Sequence, residues 1–155
     1  KTVNLSPDVY SGRSVSSAAV AAHEVGHAVQ HAQSYRWLEM RSQLVPMVQF
    51  SGRIMNIVIW SMILGVGFLG IFGVNTAIWV LIAAQLAITT FSLVTLPVEY
   101  DASNRALAWL TTSGLITTDE HAKADDALSW AARTYLVAAL ASMAQLAYYF
   151  TLLRD

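Results

Sequence analysis

The sequence predicts a mostly α, polytopic membrane protein with three transmembrane helices and a small helical polar region beside them. Three observations carry that expectation. The 155 residues are 55% hydrophobic and only 12% charged, whereas a typical soluble domain carries about 25% charged residues. Three stretches, 54–72, 77–96 and 135–153, contain no Asp, Glu, Lys or Arg. Each approaches the roughly 20 apolar residues that a helix needs to cross a bilayer. A soluble bundle burying all three would leave too little polar surface for water.

Taken in order, residues 3–5 read as a short edge strand or an extended segment, ended by Ser6-Pro7-Asp8. Residues 14 to about 33, rich in Ala and Val, read as a helix. Residues 36–50 are mildly amphipathic, with Pro46 expected to kink or interrupt them. The spans 54–72 and 77–96 are joined by Gly73-Val74-Asn75-Thr76, residue types suited to a tight turn, so the two should form a hairpin. Asn56 and Gln85 are expected to hydrogen-bond between helices. A helix from 98 to about 111 should end near Ser113-Gly114. Thr118-Asp119-Glu120-His121 opens another, with acids where the helix dipole favours them, and it runs toward the third span. A hairpin returns the chain to its starting side, so the polar regions 1–53 and 97–134 share one side of the membrane. Of the nine Lys and Arg, only Arg154 falls beyond the third span. An excess of cations on one side predicts the cytoplasmic face.

Cysteine is absent, which excludes disulfides and thiolate metal sites. The net charge of −1 and the lack of a basic run argue against a nucleic-acid partner. Chemistry concentrates in His23-Glu24-Val25-Gly26-His27. Four residues turn a helix by about 400° and advance it by about 6 Å, so both imidazoles leave one face and can share an ion. Glu24 falls beside that ion, where a general base takes a proton from the attacking water. Gly26 leaves the helix bare for a close neighbour. With no thiolate available, a zinc ion must be held by imidazole and carboxylate. A catalytic zinc needs a third protein ligand. An extended metzincin spacing would place it at position 33, which is Gln33, so that class is rejected. His31 lies about 12 Å along the axis from His23, too far to share one ion. Glu99 leads among the acids, because an isolated carboxylate amid apolar residues is usually functional. Asp101 is its rival, about 200° around the same helix.

Lys1 to Tyr10 (KTVNLSPDVY), HEVGHAVQHA at 23–32 and LPVEYDASNRAL at 96–107 together resemble the YugP-type neutral zinc metallopeptidases of bacterial membranes. The resemblance covers essentially the whole chain, with three motifs in order. It implies one membrane metallopeptidase domain over 1–155, with a gluzincin-like layout and one zinc per chain. His23, His27 and Glu99 are then the metal ligands, and Glu24 the catalytic base. It also implies an absent upstream segment with a further span, so the chain reads as a fragment. The related heat-shock and prenyl-protein proteases carry an acid four residues after the ligand glutamate. Here that position is Ser103, which leaves Ser103, Asn104 or Asp101 to orient the ligand histidines. Tyr10, Tyr100, Arg105, His121 and Arg133 stand as candidates to stabilise the transition state.

The expected activity is hydrolysis of peptide bonds in membrane or juxtamembrane proteins, at a multi-pass bacterial inner-membrane site facing the cytoplasm. The expected partners are the lipid bilayer and a protein or peptide substrate. A retained N-terminal fragment of the same protein and a homo-oligomer both stay open. The alternative is a catalytically inactive, zinc-stabilised membrane scaffold; an intact Glu24 argues against it.

Overall fold

The computed structural model describes residues 2–65 and 68–153, apart from the side chains of 68–70. Val66 and Gly67, inside the first expected span, and Lys1 and Arg154 lie outside the described residues. The elements are α1 (Pro7–Ser11), α2 (Val15–Ala32), α3 (Arg36–Leu64), α4 (Phe68–Thr112) and α5 (Thr118–Thr151). They contribute to two compact units. One is Lys1–Glu39 with Thr95–Leu136; the other is Met40–Val94 with Val137–Asp155.

The first unit is built on small residues. α2 starts at Ser14, whose hydroxyl accepts from the Ser17 amide and so satisfies one of the exposed N–H groups of the first turn. The buried face of α2 is Ala19, Ala22, Gly26 and Gln30. On α4 the buried stripe is Val98, Glu99, Ala102, Ser103, Ala106 and Leu110. Ala124 and Leu128 of α5 complete a core with Ala19, Ala22, Ala106 and Leu110. The first turn of α5 is held by Glu120, whose Oε2 accepts from both the amide and the hydroxyl of Thr117 at 2.9 Å. These two bonds hold the Glu120 carboxyl below its usual range.

Gly26 decides how closely α2 and α4 approach. A Cβ there would lie 2.7 Å from the Ala102 carbonyl oxygen and 3.2 Å from its Cα. Both are backbone atoms, so nothing soft can move aside. Gly26→Ala is therefore expected to destabilise this unit by about 1–3 kcal/mol, the usual range for overpacking. It should also lower zinc retention, because the same contact sets the site. Thermal melting checks the first effect and metal analysis the second; a melting point equal to wild type would show that the helices can separate freely.

The second unit has its own core of Met55, Val58, Ala77, Ile78, Leu81, Ile82, Ala84 and Tyr149. Gln85, expected to bond between helices, donates to the Ser142 carbonyl and meets its hydroxyl, both at 3.1 Å. Thr89 Oγ1 lies 2.7 Å from that hydroxyl. Buried polar groups in an apolar bundle are thus satisfied by one another. Asn56, the other residue expected to do this, is exposed. Ile57, Trp60, Ile63, Leu64, Trp79 and Leu86 also stand exposed, an apolar surface of the kind that faces lipid or a partner.

Several expectations are corrected. Two helices among the described residues, not three, are long and apolar enough to cross a membrane: Arg36–Leu64 and Ile71–Thr112. The segment 135–153 falls short because Tyr135, Ser142, Gln145, Tyr148 and Tyr149 dilute its apolar content and α5 closes at Thr151. The first span ends early, at Leu64, where Gly65 takes φ 65°. The break expected at 73–76 is confined to Gly73, at φ 76° and ψ 166°, a conformation that only glycine enters freely. Pro46 and Pro97 lie inside α3 and α4 rather than dividing them. No strand occurs among the described residues. Residues 2–6 are irregular, and an edge strand needs a ladder partner to exist as one.

Candidate metal centre

Both sides of the candidate site come from the first unit. α2 presents His23 and His27 one turn apart, their rings 4.6 Å between centroids and nearly perpendicular at 84°. α4 presents Glu99, on its buried stripe. His23 Nε2 lies 3.2 Å from Glu99 Oε2, and His27 Nε2 lies 3.5 Å from the same oxygen. One ligand atom from each of the three residues falls within 4.8 Å of the others. The histidine side chains keep 15% and 19% of their exposure while Glu99 keeps 1%, so the group is rooted in the core and opens on one side.

Three atoms with lone pairs converging at these separations suit a cation, and two imidazoles with one carboxylate form a donor set that zinc accepts in catalytic sites. The electrostatics agree. Burial pulls the His27 pKa down, but hydrogen bonds to Glu99 and Gln30 and the charges of Glu99 and Glu24 outweigh it, leaving His27 above its ordinary value. The pocket thus favours positive charge.

The outer ring nitrogens are also engaged. His23 Nδ1 is 3.1 Å from Ser103 Oγ, and His27 Nδ1 is 2.9 Å from Gln30 Oε1. Gln30 in turn donates to the Val98 carbonyl and to Asp101 Oδ2, each at 2.8 Å. Asp101 accepts from Arg105 Nε at 2.6 Å, and Arg105 Nη1 donates to Gln33 Oε1 at 2.7 Å. Arg105 also stacks over Tyr35 at 5.9 Å.

Glu24 is exposed. It lines a cavity of ≈ 340 Å³ with Thr2, Val3, Asn4, His27, Ala28 and His31. The structure therefore joins His23, His27 and Glu99, sets Glu24 beside them, and gives Ser103 a direct contact with a histidine. Asp101 reaches His27 only through Gln30. Asn104 is exposed and Arg105 is committed to Asp101 and Gln33. Tyr10 is 82% exposed and lines a different cavity. His121 lies in the first turn of α5, Tyr100 is 42% exposed, and Arg133 stacks on Trp130 at 4.6 Å. His31 shares the Glu24 cavity but is not one of the three converging groups. Gln30 went unnoticed in the sequence. The available signal was a fully polar side chain one turn beyond His27, on the Ala- and Gly-bearing face of α2.

The family profile described as "Putative neutral zinc metallopeptidase" matches residues 1–154. The chain belongs to this family. It is 38% identical over 146 residues to a Bacillus subtilis (strain 168) protein named "Putative membrane protease YugP", covering 94% of this chain and 62% of that protein. The chain thus spans less than two thirds of this relative's length. No solved structure matches. The resemblance drawn from the three sequence motifs is confirmed by the family profile and this relative, and zinc is the metal that the family's description names.

Proposed function

We propose that the chain is the zinc-holding part of a membrane endopeptidase that hydrolyses peptide bonds in membrane or juxtamembrane proteins. The observation that carries this reading is the convergence of one ligand atom from each of His23, His27 and Glu99 within 4.8 Å, with exposed Glu24 lining an adjoining cavity. His23, His27 and Glu99 would hold the zinc in a gluzincin-like arrangement. Zinc held there supplies Lewis acidity, which acidifies water toward pKa 7 and polarises a carbonyl.

Glu24 does the proton work. Its carboxylate takes a proton from the attacking water and delivers it to the departing amine, which needs a group that is accessible yet beside the metal. Ser103 and Gln30 hold the two imidazoles against rotation. Thr2, Val3 and Asn4 line the same cavity as Glu24 and His27, so a peptide entering there would lie beside this irregular segment. The reading is tested by zinc content and peptide cleavage of detergent-purified protein before and after chelation. Activity that disappears with zinc and returns on its re-addition supports it. A protein that holds zinc but never cleaves is the inactive scaffold instead.

The exposed apolar side chains of α3 and α4, the two helices long enough to span and the membrane protease relative support placement in a bacterial cell membrane. The distribution of Lys and Arg supports a cytoplasmic site. The chain's lack of cysteine makes this simple to check. Exposed Ser113, changed to Cys, should react with a membrane-impermeant maleimide only after the cells are permeabilised. Labelling in intact spheroplasts would reverse the orientation.

A further inference from the structure

Gln30 is a 0% exposed polar side chain that steadies the His27 ring, and its contacts fix more than the ring's rotation. Its hydrogen bonds define the orientation of its amide. The two neighbours of Nε2, the Val98 carbonyl and the Asp101 carboxylate, each at 2.8 Å, can only accept. The amide NH2 must therefore point at them, and the amide oxygen must point the other way. Asp101 is kept in place by Arg105 Nε at 2.6 Å, and Arg105 is anchored in turn on Gln33. Rotating the amide by half a turn would set its oxygen against two acceptors in a buried site, which is strongly disfavoured.

The consequence falls on His27. Gln30 Oε1 lies 2.9 Å from His27 Nδ1, and a carbonyl oxygen only accepts, so Nδ1 must carry the hydrogen. A neutral imidazole has one N–H, which leaves the lone pair on Nε2, the atom that converges with His23 and Glu99. We propose that Gln30 is a positioning residue that fixes His27 in its metal-ligating tautomer, and that Val98 and the Asp101–Arg105 pair lock the amide that does so. Its purpose rests on the zinc reading; the tautomer assignment does not. His23 has no such lock. Its Nδ1 faces the Ser103 hydroxyl at 3.1 Å, and a hydroxyl can donate or accept. One ligand of the pair is fixed and the other adapts. Asp101 acts on His27 at one remove, through the Gln30 amide.

The test reads the tautomer directly, without metal. Nitrogen-15 histidine-labelled protein, stripped of metal at alkaline pH where the ring is neutral, should show His27 protonated at Nδ1. Gln30→Leu keeps much of the shape and removes the acceptor. Its His27 should move its proton to Nε2, where Glu99 Oε2 at 3.5 Å can accept it. Zinc affinity, measured by competition with a chelator, should fall roughly 10–100-fold, as for other groups that orient a ligand histidine. Asp101→Ala leaves the His27 contact in place and removes half of the lock; it should give a mixture of tautomers and a smaller loss of affinity. This second variant decides the matter if Gln30→Leu fails to fold. A wild-type His27 protonated at Nε2, or variants with an unchanged tautomer, overturns the assignment. A wild type protonated at Nδ1 that binds no zinc upholds the Gln30 assignment and overturns the peptidase reading.

Discussion

Glu24→Gln keeps its zinc and loses peptide cleavage. The amide has nearly the volume of the carboxylate, and Glu24 is exposed, so neither packing nor the three converging ligand atoms should change. What is lost is the ability to accept a proton. Removing a general acid or base typically costs roughly 10²–10⁴-fold in rate, and here one side chain serves in both directions, so the upper part of that range is expected. Metal analysis and cleavage of an unstructured protein such as casein, run on the same preparation, check it. Zinc retained with cleavage lost assigns Glu24 its role. Normal cleavage removes Glu24 from the mechanism and returns the chain to the scaffold reading.

Glu99→Gln loses the zinc itself. Glu99 is 1% exposed, and its Oε2 is the atom that both histidines approach. The amide fits the same space, but its oxygen carries no full charge and its nitrogen cannot ligate. Two neutral imidazoles alone would remain where three protein ligands are needed. The expected fall in zinc affinity exceeds the roughly 10–100-fold seen on losing a group outside the ligand set. Asp101→Asn is the comparison to run beside it, since it alters the rival acid and should retain most of the metal. Competition against a chelator separates the two. Zinc lost from Asp101→Asn and kept by Glu99→Gln would exchange their roles.

These two variants bear on a distinction that residue type alone left open. Glu99 and Asp101 are two residues apart on one helix, and either could have turned toward α2. The rotation of α4 chose Glu99, because Val98, Glu99, Ala102 and Ser103 form the face against α2, meeting Gln30, the two histidines, Gly26 and His23 in turn. Asp101 lies to the side, where it meets Gln30 and Arg105. The glycine was legible as a point of close approach; the residue that would come close to it was not. Gln30 was invisible for a similar reason. Its partners Val98 and Asp101 are about seventy positions away in sequence, and only the crossing of α2 and α4 brings them to it.

The membrane segments show the opposite limit. Apolar length alone suggested three spans, yet α5 carries enough tyrosine and amide to fall short. Helix ends were legible where local chemistry sets them, as at Ser14, Glu120 and Gly114, whose φ is 67°. They were misread where a proline could be accommodated: Pro46 does not interrupt α3, and the span expected to end at 96 continues through Pro97 into the next helix, because a missing N–H breaks a helix only if its surroundings do not compensate.

The sequence by itself determined the helical, lipid-suited composition, the pairing of His23 with His27 and the placing of Glu24 beside them. These follow from helix periodicity and from residue chemistry acting over a few positions. Residue chemistry left Glu99 and Asp101 as rivals and the motif resemblance favoured Glu99; only the tertiary structure set Glu99 against both histidines, picked Ser103 and Gln30 for their outer nitrogens and decided how the amide of Gln30 is turned. Those depend on the rotation and separation of two packed helices, fixed by the backbone contact at Gly26 and Ala102 rather than by any pattern local to either helix.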